Sequence, residues 1–276
     1  MRPKAQDLIV VHLDVNGTIM AADKAQNKTT QDYVKIEFAK HVRGVWRPDL
    51  PEMTYREFVE NHVIPGNGAI RDIKDARNNN YKNFVTSSYL QNHPEYAELT
   101  TKYKEYVRIA ESMDNSLFPS FWRLVEWAKD KPNVRLVFRT FGHDISDIRE
   151  ILNLKGYVMT NILAYDLEGC LMSGETEVAP SQMWQDLFNA VHDNHKRWHE
   201  NGETEAYAKP FMQPENGVAI VFDDNAKVKH IIAPDQGTRD DLITSGHIVP
   251  VRTLMALTDP EYFVSRVEAL LTTESE

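Results

Sequence analysis

Three carboxylates, one hydroxyl and one ammonium in this chain stand where chemistry is done on an α/β scaffold. Asp14 follows the apolar run at residues 8–13 (LIVVHL) and opens the turn Val15-Asn16-Gly17-Thr18. Thr140 follows a second run, residues 134–138 (VRLVF), inside Phe138-Arg139-Thr140-Phe141-Gly142. Asp223 and Asp224 follow a third, residues 218–222 (VAIVF), and Lys209-Pro210 lies shortly before it. A carboxylate at the end of a buried strand is costly unless it is paired, metal-bound or hydrogen-bonded. Adjacent carboxylates repel unless a cation lies between them, and hard oxygen ligands suit Mg²⁺. Gly17 lets backbone approach a ligand closely, and the peptide groups after Thr140 lead toward a helix start that suits phosphate oxygens. Taken singly, each has a plain structural reading: a turn cap, an acidic surface turn, a strand-terminal threonine, a solvated lysine.

The elements that must position these groups are four apolar runs, the three above and residues 247–251 (HIVPV). Continuous apolar strands between amphipathic helices point to a parallel sheet covered on both faces. Helices are expected over residues 95–112 and 120–130, and from Asp144 or Ser146 to Leu154, closed by Lys155-Gly156. A long one is expected from Ser181 to about Asn201, and a last one opens at Asp259-Pro260. Residues 20–116 carry no convincing buried strand and read as an inserted helical domain.

The order strand-DxxGT, strand-T, K-P, strand-DD resembles the haloacid dehalogenase superfamily, whose members are mainly aspartate-dependent phosphatases. The resemblance covers residues 8–20, 134–142, 209–210 and 218–225. It implies a three-layer, doubly wound parallel sheet, a Rossmann-like α/β core made of residues 1–19 and 117–276. It also implies an α-helical cap inserted over residues 20–116. In that comparison Asp14 is the nucleophile that forms an aspartyl-phosphate, and Thr140 orients a phosphoryl oxygen. Lys209 steadies the transferring group, with Lys196 or Arg197 as alternatives. Asp14, the backbone carbonyl of Asn16, Asp223 and Asp224 would hold Mg²⁺, while Thr18, Arg139, Phe141 and Gly142 are expected to bind substrate.

Position 16 departs from the pattern. Phosphatases of the family usually carry there an Asp that protonates the leaving alcohol and activates water, and Asn16 cannot shuttle a proton. General acid–base catalysis is worth ~10²–10⁴ in rate. Three readings stay open: a substrate with a good leaving group such as an aryl or acyl phosphate, another proton carrier such as His143 or His12, or a weak or inactive protein that binds a phosphorylated ligand. In the inserted segment Arg71, Lys74, Arg77 and Lys82 offer charge to a substrate, although a solvated helix with mixed charges, including Asp72 and Asp75, is the better explanation of them. His192, His195 and His199 fall at helical steps without the carboxylate of a zinc-protease helix, so no metal is assigned to them.

Composition bounds the rest. A formal net charge of -10 argues against a general grip on nucleic acid, and no run approaches the ~20 apolar residues of a membrane span. The single cysteine, Cys170, excludes an intrachain disulfide framework. With no signal-peptide pattern at the start, the expected setting is cytoplasmic and the expected partner a small phosphorylated substrate or a phosphoprotein. Neither GxGxxG nor GxxxxGK[ST] is present.

Overall fold

The computed structural model describes residues 7–21, 29–68, 70–86, 96–113, 116–227 and 230–274. It divides into two compact units, residues 1–20 with 117–276, and residues 21–116.

The first unit is built on strands β1 (Leu8–Asp14), β2 (Val134–Thr140), β3 (Asn161–Tyr165), β4 (Leu171–Ser173), β5 (Thr176–Glu177), β6 (Phe188–His192), β7 (Lys209–Phe211), β8 (Gly217–Asp223), β9 (Ile232–Pro234) and β10 (Ile248–Pro250). Eight of them form one sheet in the order β10-β8-β1-β2-β6-β3-β4-β5. The pairings from β10 to β3 are all parallel, and β4 and β5 add an antiparallel edge. β7 and β9 pair parallel in a separate two-stranded sheet.

The central strands lie under both faces of the sheet, which is why they are apolar without alternation. On one face Phe222 packs against Phe263 (ring centroids 4.9 Å apart) and Phe138 against Phe121 (5.9 Å). Those partners come from helices Tyr262–Thr273 and Pro119–Ala128, which pin each other through Trp127 Nε1 donating to Glu268. On the other face Val10, Val137, Ala219 and Val221 meet Met183 and Phe211. Alternation along a strand then puts Asp14 on the Val10 side of β1, Arg139 on the Val137 side of β2, and Asp223 on the Val221 side of β8. Register finishes the alignment, since Leu13 pairs with both Phe222 and Phe138, and Asp14 pairs with Arg139. The polar residues therefore gather beyond the carboxyl ends of parallel strands, where such sheets bind ligands.

Two helix expectations need correction. Residues 181–201 are not one helix. A 3₁₀ turn (Pro180–Trp184) and strand β6 precede a short helix, His195–Glu200, which ends at Asn201 before Gly202 with φ +74. The last helix starts at Tyr262 with Glu261 as its N-cap, so Pro260 lies ahead of it. The helix expected from residue 95 is described as Ala97–Ser112, and residue 95 lies outside the described residues.

The second unit contains the helices Thr30–His41, Tyr55–Phe58, Arg71–Asn83 and Ala97–Ser112, with a π-helical turn at Val59–Val63. Its only strands among the described residues are a two-residue pair, Arg43–Gly44 with Met53–Thr54. An aromatic core holds it: Tyr55 lies 4.2 Å from Phe84, Trp46 5.5 Å from Phe84, and Tyr103 5.5 Å from Phe38, centroid to centroid. Of the cations expected to meet a substrate, Arg77 is buried and donates to the carbonyls of Ile64 (3.0 Å) and Gly66 (2.9 Å). Lys82 pairs with Asp32 at 3.1 Å. Arg71 and Lys74 are exposed. Among the described residues, no helix in either unit is long and apolar enough to cross a membrane.

Candidate active site

The centre of the site is a buried ion-pair bridge. Lys209 Nζ donates to Asp14 Oδ1 at 2.5 Å and to Asp223 Oδ2 at 2.8 Å. Strand β7 delivers the ammonium. Lys209 N donates to the Ile231 carbonyl at 3.0 Å, and the Lys209 side chain is only 4% exposed. Burial pushes the Asp14 carboxyl up to about 7; Lys209 opposes that rise and Asp223 adds to it. Burial would also lower the Lys209 ammonium, but Asp14 and Asp223 outweigh it and hold the lysine above its usual range.

Asp224 completes the carboxylate set. One oxygen from each of Asp14, Asp223 and Asp224 lies within 4.8 Å of the others, the one such group among the described residues. With all three carboxylates ionised, one ammonium leaves two negative charges, enough to balance one Mg²⁺. All the donors are hard oxygens, as Mg²⁺ prefers. Among the described residues the Asn16 carbonyl accepts no hydrogen bond and is free to join them. The residues present fit the ion.

The comparisons return nothing: no family model, no curated protein and no solved structure matches the chain. The geometry therefore carries the functional argument alone.

Thr140 ends β2 beside this centre, and its Oγ1 accepts from Gly142 N at 2.8 Å and donates to Asp144 Oδ2 at 3.3 Å. Asn16 Nδ2 donates to the same Asp144 oxygen at 2.9 Å. Asp144, expected only as a helix cap, sits at the N-cap of Ile145–Leu154 but makes no side-chain capping bond; its carboxylate turns to Asn16 and Thr140 instead. Nothing in the sequence signals a contact across 128 positions. Gly142 makes room for it, because a Cβ there would lie 2.6 Å from Asp144 Oδ2.

Other expected site residues have protein partners. Arg139 is buried and forms a two-pronged pair with Asp193, through Nε at 3.0 Å and through Nη2, and donates from Nη1 to the Pro210 carbonyl at 2.9 Å. All these partners are protein groups, so the guanidinium braces the Lys209-Pro210 strand. Asp193 outweighs the effect of burial and raises Arg139 above its usual range. Thr18 is fully buried; its Oγ1 accepts from Asp224 N at 3.1 Å and reaches Asp14 Oδ2 at 3.5 Å, so it ties two loops together. Gly17, at φ +84, makes the turn between them, and its carbonyl accepts from Thr253 at 2.7 Å.

Phe141 is half-buried, stacked 5.3 Å from Trp198, with Lys209 Nζ 5.2 Å from its ring centroid. The alternatives to Lys209 point elsewhere: Lys196 lies 3.9 Å from Glu200, and Arg197 lies over the Tyr207 ring at 4.9 Å. His12 is buried with neither ring nitrogen bonded, and burial, with Arg139 adding, keeps it well below the usual histidine range. His143 is exposed. His192 ends β6 while His195 and His199 stack on the short helix, so the three histidines do not share a helix.

Proposed function

We propose that this protein is a Mg²⁺-dependent phosphatase or phosphotransferase of the haloacid dehalogenase type, with Asp14 as nucleophile. The observation that carries the reading is one carboxylate at the end of the central strand that touches a buried ammonium and shares an ion-sized space with two further carboxylates. Phosphoryl transfer needs positioning and charge neutralisation more than covalent machinery.

Asp14 Oδ attacks phosphorus and the leaving oxygen departs with the electron pair of the broken P–O bond. Lys209 favours the Asp14 anion against the effect of burial and balances the charge gathering on the phosphoryl oxygens. The hydroxyl of Thr140 and the peptide N–H groups that follow it orient those oxygens. Asp14, Asp223, Asp224 and the Asn16 carbonyl would hold Mg²⁺, which supplies Lewis-acid neutralisation of the phosphoryl group. The same reading gives residues 21–116 the task of a cap that selects the substrate. Because Asn16 cannot protonate a leaving group, the favoured substrates are aryl or acyl phosphates, whose leaving groups depart without an acid. The second reading, a phosphate-binding protein with little turnover, is favoured by that same amide.

Hydrolysis of an aryl phosphate with and without Mg²⁺ tests the choice. Turnover that needs Mg²⁺ and vanishes in Asp14→Asn is the expected result. Full activity in Asp14→Asn would remove the aspartyl-phosphate from consideration. Phosphate binding without hydrolysis of any aryl or acyl phosphate would favour the second reading.

A further inference from the structure

The Asn16 carboxamide is held on one side and open on the other. Its Nδ2 donates to Asp144 Oδ2 at 2.9 Å, while its Oδ1 is buried with no hydrogen-bond partner. A buried acceptor without a donor is destabilising, so this oxygen is suited to a donor that arrives with the reaction. Three independent features fix the amide in this sense. Asp144 is buried, and its Oδ2 also accepts from Thr140 at 3.3 Å. Gly142 supplies the clearance that lets this oxygen reach both donors. With a carboxylate facing Nδ2, a flipped amide would turn its oxygen onto negative charge, which is repulsive.

We propose that Asp144 is a positioning residue: it locks Asn16 with Oδ1 as the acceptor for the water that cleaves the aspartyl-phosphate. The proposal rests on the assignment of Asp14 as nucleophile. In the step, water oxygen forms a bond to phosphorus, the bond from Asp14 Oδ to phosphorus breaks, and its electron pair returns to the Asp14 carboxylate. Both water protons leave with the product as dihydrogen phosphate. Asn16 accepts a hydrogen bond and takes no proton, and Asp144 stays a carboxylate throughout. Position 16 then serves the second half-reaction by orientation alone, while the first depends on the leaving group.

The test is a rapid-mixing experiment with p-nitrophenyl phosphate and Mg²⁺, comparing the parent with Asp144→Ala, which frees the amide. The variant is expected to keep a burst of about one p-nitrophenolate per enzyme while the steady rate falls about 10- to 100-fold, the worth of a hydrogen bond to a charged group. A burst phase and steady rate that fall together, or that both stay at the parent's values, would overturn the proposal. A second readout needs neither metal nor turnover. The Asn16 side-chain amide protons should exchange slowly with solvent in the metal-free parent and at least 10-fold faster in Asp144→Ala. Equal exchange in the two proteins would also overturn it. Failure of the nucleophile assignment shows separately, as turnover that survives Asp14→Asn.

Discussion

Replacing Lys209 by Met removes the one ammonium between Asp14 and Asp223 while keeping most of the side-chain volume. Two buried carboxylates then face each other without a counter-charge. Breaking a buried ion pair by deleting one partner costs about 3–5 kcal/mol. The lower end applies at neutral pH because Asp14, already pushed up to about 7 with the lysine present, rises further and takes up a proton. The sign follows from proton counting. A native state that binds more protons than the unfolded chain loses stability as pH rises. The deficit of Lys209→Met should be about 3 kcal/mol at pH 7 and grow by ~1.4 kcal/mol per pH unit until Asp14 ionises. Urea unfolding in chelator, followed by tryptophan fluorescence, measures this. Trp122, Trp127, Trp184 and Trp198 all lie in the unit that carries the site. Added Mg²⁺ should recover part of the deficit, since ligand binding to the native state stabilises it. A variant as stable as the parent in chelator from pH 7 to 9 would refute the bridge and the charge argument built on it.

Three other contacts can be tested in the same way. Arg139→Met should destabilise by about 3–5 kcal/mol, and the double change Arg139→Met/Asp193→Leu should recover much of that loss in urea unfolding. Gly217→Ala should cost more than about 2 kcal/mol, seen as a lower midpoint, because its Cβ would lie 2.0 Å from the Leu8 carbonyl oxygen where β8 begins to pair with β1. Burial would raise Glu37, but Lys40 and His41 outweigh it and hold the carboxyl down to about 2. Its stabilisation, at most about 3 kcal/mol, is therefore present above pH 4.5 and lost as pH falls toward 2; Glu37→Gln should flatten that acid limb in a pH series of melting curves.

The sequence made three central strands plain because burial on both faces demands apolar runs, and residues 8–13, 134–138 and 218–222 are such runs; the run at residues 247–251 holds β10, which lies at the sheet edge. With them came the placement of Asp14, Thr140 and Asp223 at strand ends. Strand β6 was hidden for a physical reason. In Phe188-Asn189-Ala190-Val191-His192 a buried asparagine stands in mid-strand, satisfied by Asn161 Nδ2 at 2.9 Å and by its own donation to Asp186 O at 2.5 Å. A polar residue at that position reads as helix surface. β7 is only three residues long and contains Pro210, so its lysine was visible but its strand was not. Arg139 illustrates a general limit. Its position beside Thr140 suggested a ligand, yet the partner that claims its guanidinium, Asp193, is 54 residues away. Asp144 is the converse case, a carboxylate whose capping place concealed a turn toward Asn16.

Trapping the intermediate tests the account most directly. The protein is mixed with an aryl phosphate and Mg²⁺, quenched in acid, digested and sequenced by mass spectrometry. A hydroxylamine-sensitive phosphoryl group on the peptide carrying Asp14, absent in Asp14→Asn, is the expected result. Turnover with phosphate found on another residue, or with no covalent intermediate during a demonstrated burst, would contradict it.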